Sequence, residues 1–222
     1  ATERAIDVEP AVRQVYVEVA PATLDSHGGD WERLQAALLT EWKLSGLTID
    51  MVALQQLQPA LAAGKQGLTV TLWQDREVLR VQAGYAEGAY GLAVDVGSTT
   101  VVVHLCDLRT GVVKATESSM NPQVRFGEDL MSRVSYVMMH PDGTQKMHRA
   151  VITTLQQLAE RAVKAAGITL DDVVDVVLVG NTVMHHLLLG ISPVELGGAP
   201  CALAVSESVD LKARELGLRL NP

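Results

Sequence analysis

Residues 91–105 read GLAVDVGSTTVVVHL. An apolar run with strand character stops at Asp95-Val96-Gly97-Ser98-Thr99-Thr100, and a second apolar run follows at once. Two strands joined this tightly form a hairpin, and the turn concentrates a carboxylate, a glycine and three hydroxyls. Such a turn gathers successive backbone N–H groups on one side, Gly97 lets a ligand approach without a Cβ in the way, and Ser98, Thr99 and Thr100 add donors. That set suits phosphate oxygens. Asp95 suits Mg²⁺ rather than phosphate itself, because Mg²⁺ takes one or two carboxylates along with substrate phosphates. An ordinary hairpin with a polar turn accounts for the same string, and the local residues alone do not separate the two.

Outward from the hairpin, the second region continues as alternating blocks. TTVVVHLCDL (99–108) and VVKATESS (112–119) read as strands around a tight turn at Arg109-Thr110-Gly111. A helical segment from Gly127 to Met139 is followed by a break at Pro141-Asp142-Gly143. A long helix then carries Met147, Val151, Leu155, Leu158, Ala162 and Ala166 on one stripe, with Gly167 placed to end it. VVDVVLVG (173–180) reads as a strand buried on both faces. Three antiparallel strands, a helix and a strand returning beside the first make the succession of an RNase H-like unit.

The first region, 1–88, holds VRQVYVEVA (12–20) as a half-buried strand and WERLQAALL (31–39) as a helix opened by Asp30. MVALQQL (51–57) is a second helix, opened by Asp50 and ended or kinked at Pro59. LTVTLWQ (68–74) and EVLRVQA (77–83) form a hairpin about Asp75 and Arg76. The order strand-helix-helix-strand-strand is a small α+β unit, and AGYAEGAYG (83–91) is the natural boundary. The fold class is therefore α/β: a small α+β domain over 1–88, then an incomplete RNase H-like unit over 89–222.

Bulk properties narrow the function. With 222 residues, 48% of them hydrophobic, the chain can bury a real core. A formal net charge of −8 argues against binding nucleic acid, whose affinity rests on clustered Lys and Arg. No apolar run is long enough to span a membrane. Two cysteines, Cys106 and Cys201, make neither a disulfide framework nor a four-cysteine site, and a cytoplasmic location is expected.

Further candidates lie in NPQVRFGEDLMSR (121–133). Glu128 and Asp129 are read first as helix-capping acids, with an Asp129–Arg133 pair at i, i+4, and second as carboxylates able to orient an attacking water. Arg125 is available to a phosphate or to an acidic partner. Gly180-Asn181-Thr182 ends one strand and opens a helix, a site for anions as well as an ordinary cap. His185 and His186 point about a hundred degrees apart on a helix, so packing or an interface is the reading for them rather than chelation of one metal. Cys106 and the methionines at 131, 138, 139 and 147 are read as core, the latter with a partner-facing surface as the alternative.

DVGSTT between two strands resembles the first phosphate motif of the acetate kinase, sugar kinase, heat-shock chaperone and actin superfamily. GLAVDVGSTTVVVHLCDLRTG, NPQVRFGEDLMSR, VGNTVMHHLLLGISP and KARELGLRLNP, in this order, resemble the reductive activators of corrinoid proteins. VRQVYVEVAPATLDSHGGDWERL and the LTVTLW hairpin resemble that family's middle domain. The resemblance implies an ATP- and Mg²⁺-dependent activase that returns a Co(II) corrinoid to Co(I) in a methyltransferase system. It implies a corrinoid protein and a nucleotide as partners, and a homodimer. Asp95, Gly97, Ser98, Thr99 and Thr100 would hold the Mg²⁺–phosphate end of ATP, with Gly180, Asn181 and Thr182 beside it. A [2Fe–2S] cluster belongs to an N-terminal domain that this chain lacks. The second phosphate motif has no counterpart here, so a fragment of the activator, inactive alone, is the expectation. A phosphotransferase or a dehydratase-activating ATPase of the same superfamily, and a docking or dimerisation module, are the alternatives.

Overall fold

The structure is a computed structural model and describes residues 8–24 and 28–220. It divides into two compact units: Ala1–Ala89 with Asp107–Gly111, and Tyr90–Cys106 with Val112–Pro222.

In the first unit, β1 (Val12–Glu18), β2 (Thr48–Ile49), β3 (Gly67–Trp73) and β4 (Glu77–Ala83) form a sheet ordered β1-β3-β4-β2. Helices α1 (Asp30–Trp42) and α2 (Met51–Ala63) contribute Leu34, Leu38, Ala53, Leu57 and Leu61 to its core, against Val15, Val17, Leu68, Val70 and Leu72. The β3–β4 turn places Gln74 and Asp75 at positive φ (48° and 55°), the backbone twist a tight hairpin needs. Asp50 caps α2, its carboxylate accepting from the Val52 N–H at 2.9 Å.

One expectation for this unit fails, and one of the two alternatives for Pro59 is excluded. Asp30 is the first residue inside α1 and not its cap; Gly29 occupies the cap position, and Asp30 pairs with Arg33 one turn on. Pro59 does not end α2, which runs four residues further. Leu57, Ala60 and Leu61 on either side of the proline are buried, so packing of the apolar face carries the helix past the missing N–H.

The second unit contains β5 (Tyr90–Val96), β6 (Thr100–Asp107), β7 (Val113–Met120), α3 (Leu130–Met139), α4 (Gly143–Ala166), β8 (Val173–Gly180) and α5 (Thr182–Leu188). Its sheet order is β7-β6-β5-β8, with β8 parallel to β5. β5 and β6 are neighbours joined by three residues, a connection short enough only for antiparallel strands. This is the RNase H-like order expected of the succession. Leu92, Val94 and Val96 of β5 and Val101, Val103 and Leu105 of β6 all face one core. From α4 come Met147, Val151, Leu155, Leu158 and Ala162, the stripe legible at helical spacing. Gly167, at φ 71°, ends α4 in the left-handed conformation.

β8 departs from its reading as a strand buried on both faces. It is one of the two edge strands among the described residues, and Val177 and Val179 are 56% and 59% exposed. Val176 and Leu178 on its inner face pack against the core; no described element of the unit covers the other. Cys106 is only half-buried for the same geometric reason, since it alternates away from Val101, Val103 and Leu105. Burial still pushes its thiol pKa up. Of the four methionines read as core, only Met147 is; Met131, Met138 and Met139 are exposed, because α3 turns Val134 and Val137 inward.

Among these contacts the Asp50 cap is the simplest to test. Asp50→Ala removes the acceptor for an N-terminal amide of α2 and is expected to destabilise the protein by about 1–2 kcal/mol. The urea unfolding midpoint measures it, with an unchanged slope expected.

Candidate functional site

The alternation of β5 puts Val94 and Val96 into the core and Asp95 on the exposed face. In the parallel register Asp95 lies beside Val179, and Val96 beside Gly180. The C-terminal ends of two parallel strands therefore lie side by side, and from them emerge the turn 97–99 and the start of α5. Ligands of open α/β sheets bind at such carboxyl ends. Thus Asp95, Gly97, Ser98, Thr99, Thr100, Gly180, Asn181 and Thr182 are gathered at one edge of the sheet.

The turn is closed by the Gly97 N–H donating to the Thr100 carbonyl at 3.0 Å. A Cβ on Gly97 would stand 2.7 Å from that same carbonyl oxygen, so the turn itself demands glycine here, apart from any ligand. Gly180 is similarly confined, since its Cβ would meet the Val96 carbonyl at 3.0 Å.

Beneath the turn are two buried polar side chains. Asn121 is wholly buried; its Nδ2 donates to the Gly97 carbonyl at 2.7 Å, and its own backbone N–H to the Thr99 carbonyl at 2.7 Å. Its Oδ1 accepts from the Gln123 N–H at 2.9 Å. Arg133 is 0% exposed. Its Nη2 donates to the Ser98 carbonyl, its Nε to the Gly127 carbonyl at 2.9 Å, and its Nη1 lies 3.1 Å from Sδ of Met184. Burial lowers its pKa and the nearby Asp129 charge opposes that shift; a guanidinium still stays charged at neutral pH. The expected Asp129–Arg133 pair is thus replaced. Arg133 turns inward to carbonyls, and Asp129 caps α3.

Asp129 spends both oxygens on Ser132: Oδ1 accepts from its N–H at 2.8 Å and Oδ2 from its hydroxyl at 2.9 Å. Those bonds hold its carboxyl below the ordinary range. Glu128 is exposed on the same segment. Asn181 likewise uses its Oδ1 as a cap, accepting from the Met184 N–H at 3.0 Å. The Thr182 carbonyl accepts from His186 Nδ1 at 2.8 Å, while the Ala204 N–H donates to Nε2 at 3.1 Å. That pair of bonds fixes the neutral tautomer and leaves His186 as packing, as its spacing from His185 implied.

Sequence reasoning missed Asn121 and Arg133 as part of the site. The signal available was the pair of a turn-forming Asn-Pro and an arginine at the inward position of an otherwise apolar helix stripe, with Val134 and Val137. Among the described residues no group of three or more His, Cys, Asp or Glu could hold a metal ion. A lone exposed Asp95 beside a hydroxyl-rich turn fits Mg²⁺ arriving with a phosphate, not a metal held by protein alone.

This is an α/β protein with a buttressed, glycine-dependent hairpin turn at the carboxyl ends of two parallel strands. Residues 90–222 match the family described as RACo middle region, and residues 1–88 match RACo linker region, so the first region is the linker and not the middle domain expected from its resemblance. The chain belongs to the RACo family, the reductive activators of corrinoid proteins. It is 35% identical over 133 residues to the corrinoid activation enzyme RamQ of Eubacterium limosum, covering 60% of this chain and 22% of that protein. Over 99% of its length it superposes on a solved reductive activator for corrinoid, iron-sulfur protein, at TM-score 0.86 and 31% identity. It spans only about a third (35%) of that solved chain. A looser likeness, TM-score 0.36 at 14% identity, to an archaeal actin homolog covers 84% of this chain and 73% of that one.

The Asp129 cap has a definite pH dependence. Because its pKa is lowered on folding, its contribution is complete above the ordinary carboxylate range and is lost as pH falls through the depressed value. In an acid titration followed by NMR, the Ser132 amide is expected to shift with a midpoint below that of an unpaired aspartate, and Asp129→Asn should abolish the transition. Separately, Gly97→Ala is expected to cost about 1–3 kcal/mol through forced displacement of the turn, read as a lowered melting temperature.

Proposed function

We propose that this chain supplies the first phosphate-binding turn of an ATP-dependent reductive activator, one that restores a Co(II) corrinoid to Co(I) in a corrinoid protein. The observation that carries the reading is the turn at 97–99, glycine-dependent, rich in hydroxyls, with Asp95 on the exposed face at its entrance. A corrinoid protein as partner, the methyltransferase system it serves and a homodimer in the cytoplasm are parts of the same proposal, the first of them supported by family membership.

In this reading 1–88 and 89–222 act as successive domains. Ser98, Thr99 and Thr100 bind phosphate oxygens through backbone N–H groups and hydroxyls, and Gly180, Asn181 and Thr182 border the same edge. Asp95 holds Mg²⁺, which neutralises charge on the phosphates and orients them when bound. Asp129, whose oxygens are engaged by Ser132, is the weaker candidate for orienting water; Glu128, exposed, is the stronger. A [2Fe–2S] cluster takes four ligands and the chain has two cysteines, so these residues would not hold one; its chemistry would be one-electron transfer. ATP binding and hydrolysis drive engagement and release of the corrinoid protein. No described helix is long and apolar enough to cross a membrane.

Asp95→Asn in the intact protein keeps the size of the side chain and removes its charge. Mg²⁺-dependent phosphate release is expected to fall about 10–100-fold with the fold and any iron–sulfur absorbance unchanged. Wild-type rates in Asp95→Asn would overturn the assignment of this turn to the nucleotide.

A further inference from the structure

Three consecutive carbonyls of the turn are held by protein donors: Gly97 by Asn121 Nδ2, Ser98 by Arg133 Nη2, and Thr99 by the Asn121 N–H. In a planar trans peptide the N–H of one residue points opposite to the carbonyl of the residue before it. The N–H groups of Ser98, Thr99 and Thr100 must therefore leave on the side away from the partners of those carbonyls. For Ser98 and Thr99 that side is away from the two buried side chains. Successive N–H groups turned the same way make an anion-binding concavity.

Arg133 has a second peculiarity. A buried guanidinium ordinarily sits with a carboxylate, because an uncompensated buried charge is costly. Asp129 directs both its oxygens to Ser132, and the donors of Arg133 go to two carbonyls and a thioether. The cation sits under the peptide dipole of the turn, its positive charge on the carbonyl side. It thereby polarises the Ser98–Thr99 peptide so that the outward N–H is a stronger donor, and an anion bound at that N–H completes the compensation of the charge.

We infer that Arg133, with Asn121, is a positioning residue that locks the 97–99 turn with the Ser98 and Thr99 N–H groups outward to receive the oxygens of a terminal phosphoryl group. The inference rests on the nucleotide reading of this turn and adds to it which atoms bind and what orients them. It assigns the binding to backbone groups, whose direction depends on side chains that never touch the ligand.

The test compares Mg·ATP with adenosine, which has no phosphate, by calorimetry on the intact wild type and on Arg133→Met. The wild type should bind Mg·ATP more tightly than adenosine; equal binding would sink the phosphate reading itself. In Arg133→Met, Mg·ATP affinity is expected to fall about 10–100-fold with adenosine affinity unchanged. Unaltered Mg·ATP affinity, or an equal loss for both ligands, overturns the positioning role and leaves the nucleotide reading standing. Should Arg133→Met fail to fold, amide exchange on the wild type decides. Mg·ATP at saturation is expected to protect the Ser98 and Thr99 amides where adenosine does not, and absent protection overturns the inference.

Discussion

The parallel ladder between β5 and β8 is the constraint on which the second unit depends. Parallel neighbours cannot be joined by a hairpin; they need a crossover, and here α3 and α4 lie within it. The apolar stripe of α4 has a place because it crosses the face formed by Leu92, Val94 and Val96. The same ladder aligns Val96 with Gly180, so that a hairpin turn and a helix start emerge together. Side-chain ties then fasten the crossover. His148 of α4 reaches the Leu188 carbonyl at 2.8 Å, and Gln123 reaches the Met147 carbonyl at 3.2 Å.

The turn at 97–99 is built from inside outward. Its glycine is fixed by the Thr100 carbonyl, and its three carbonyls are engaged by residues 22 to 35 positions away in sequence. Met184, 1% exposed, touches both Asn121 and Arg133 and so brings α5 into the same support. What faces solvent is the Asp95 carboxylate, hydroxyls and N–H groups, while the polar atoms that shape them are sealed from water. Low dielectric under the turn strengthens those hydrogen bonds and makes any lost partner costly.

Much of this was legible in advance because period and cap are local properties. The alternation in VRQVYVEVA, the α4 stripe and the Asp50 cap each follow from a few neighbouring residues. The misreadings share a cause, which is that burial is decided by what packs nearby in space. Val177 and Val179 look like core from their neighbours, yet they lie on the sheet face that no described element of the unit covers, with Ala93 and Asp95 of β5. Arg133 looks like half of a surface ion pair, yet the inward face of α3 carries it under the turn. Asp30 looks like a cap until Gly29 takes that place and Arg33 claims the carboxylate. The candidate turn was visible as a string; its supports were not, since nothing local links Asn121 and Arg133 to Ser98.

The methionines of the second unit fall into two populations. Met147 and Met184 are 0% and 1% exposed, whereas Met120 and Met139 are each 71% exposed and Met131 and Met138 lie between. Thioether oxidation follows access and turns an apolar, pliable side chain into a polar, chiral one. An oxidant would therefore rewrite the outer surface of α3 and the end of β7 first, sparing the sulfur that touches Asn121 and Arg133. Sulfoxide formation would therefore make this surface more polar well before it disturbs the turn.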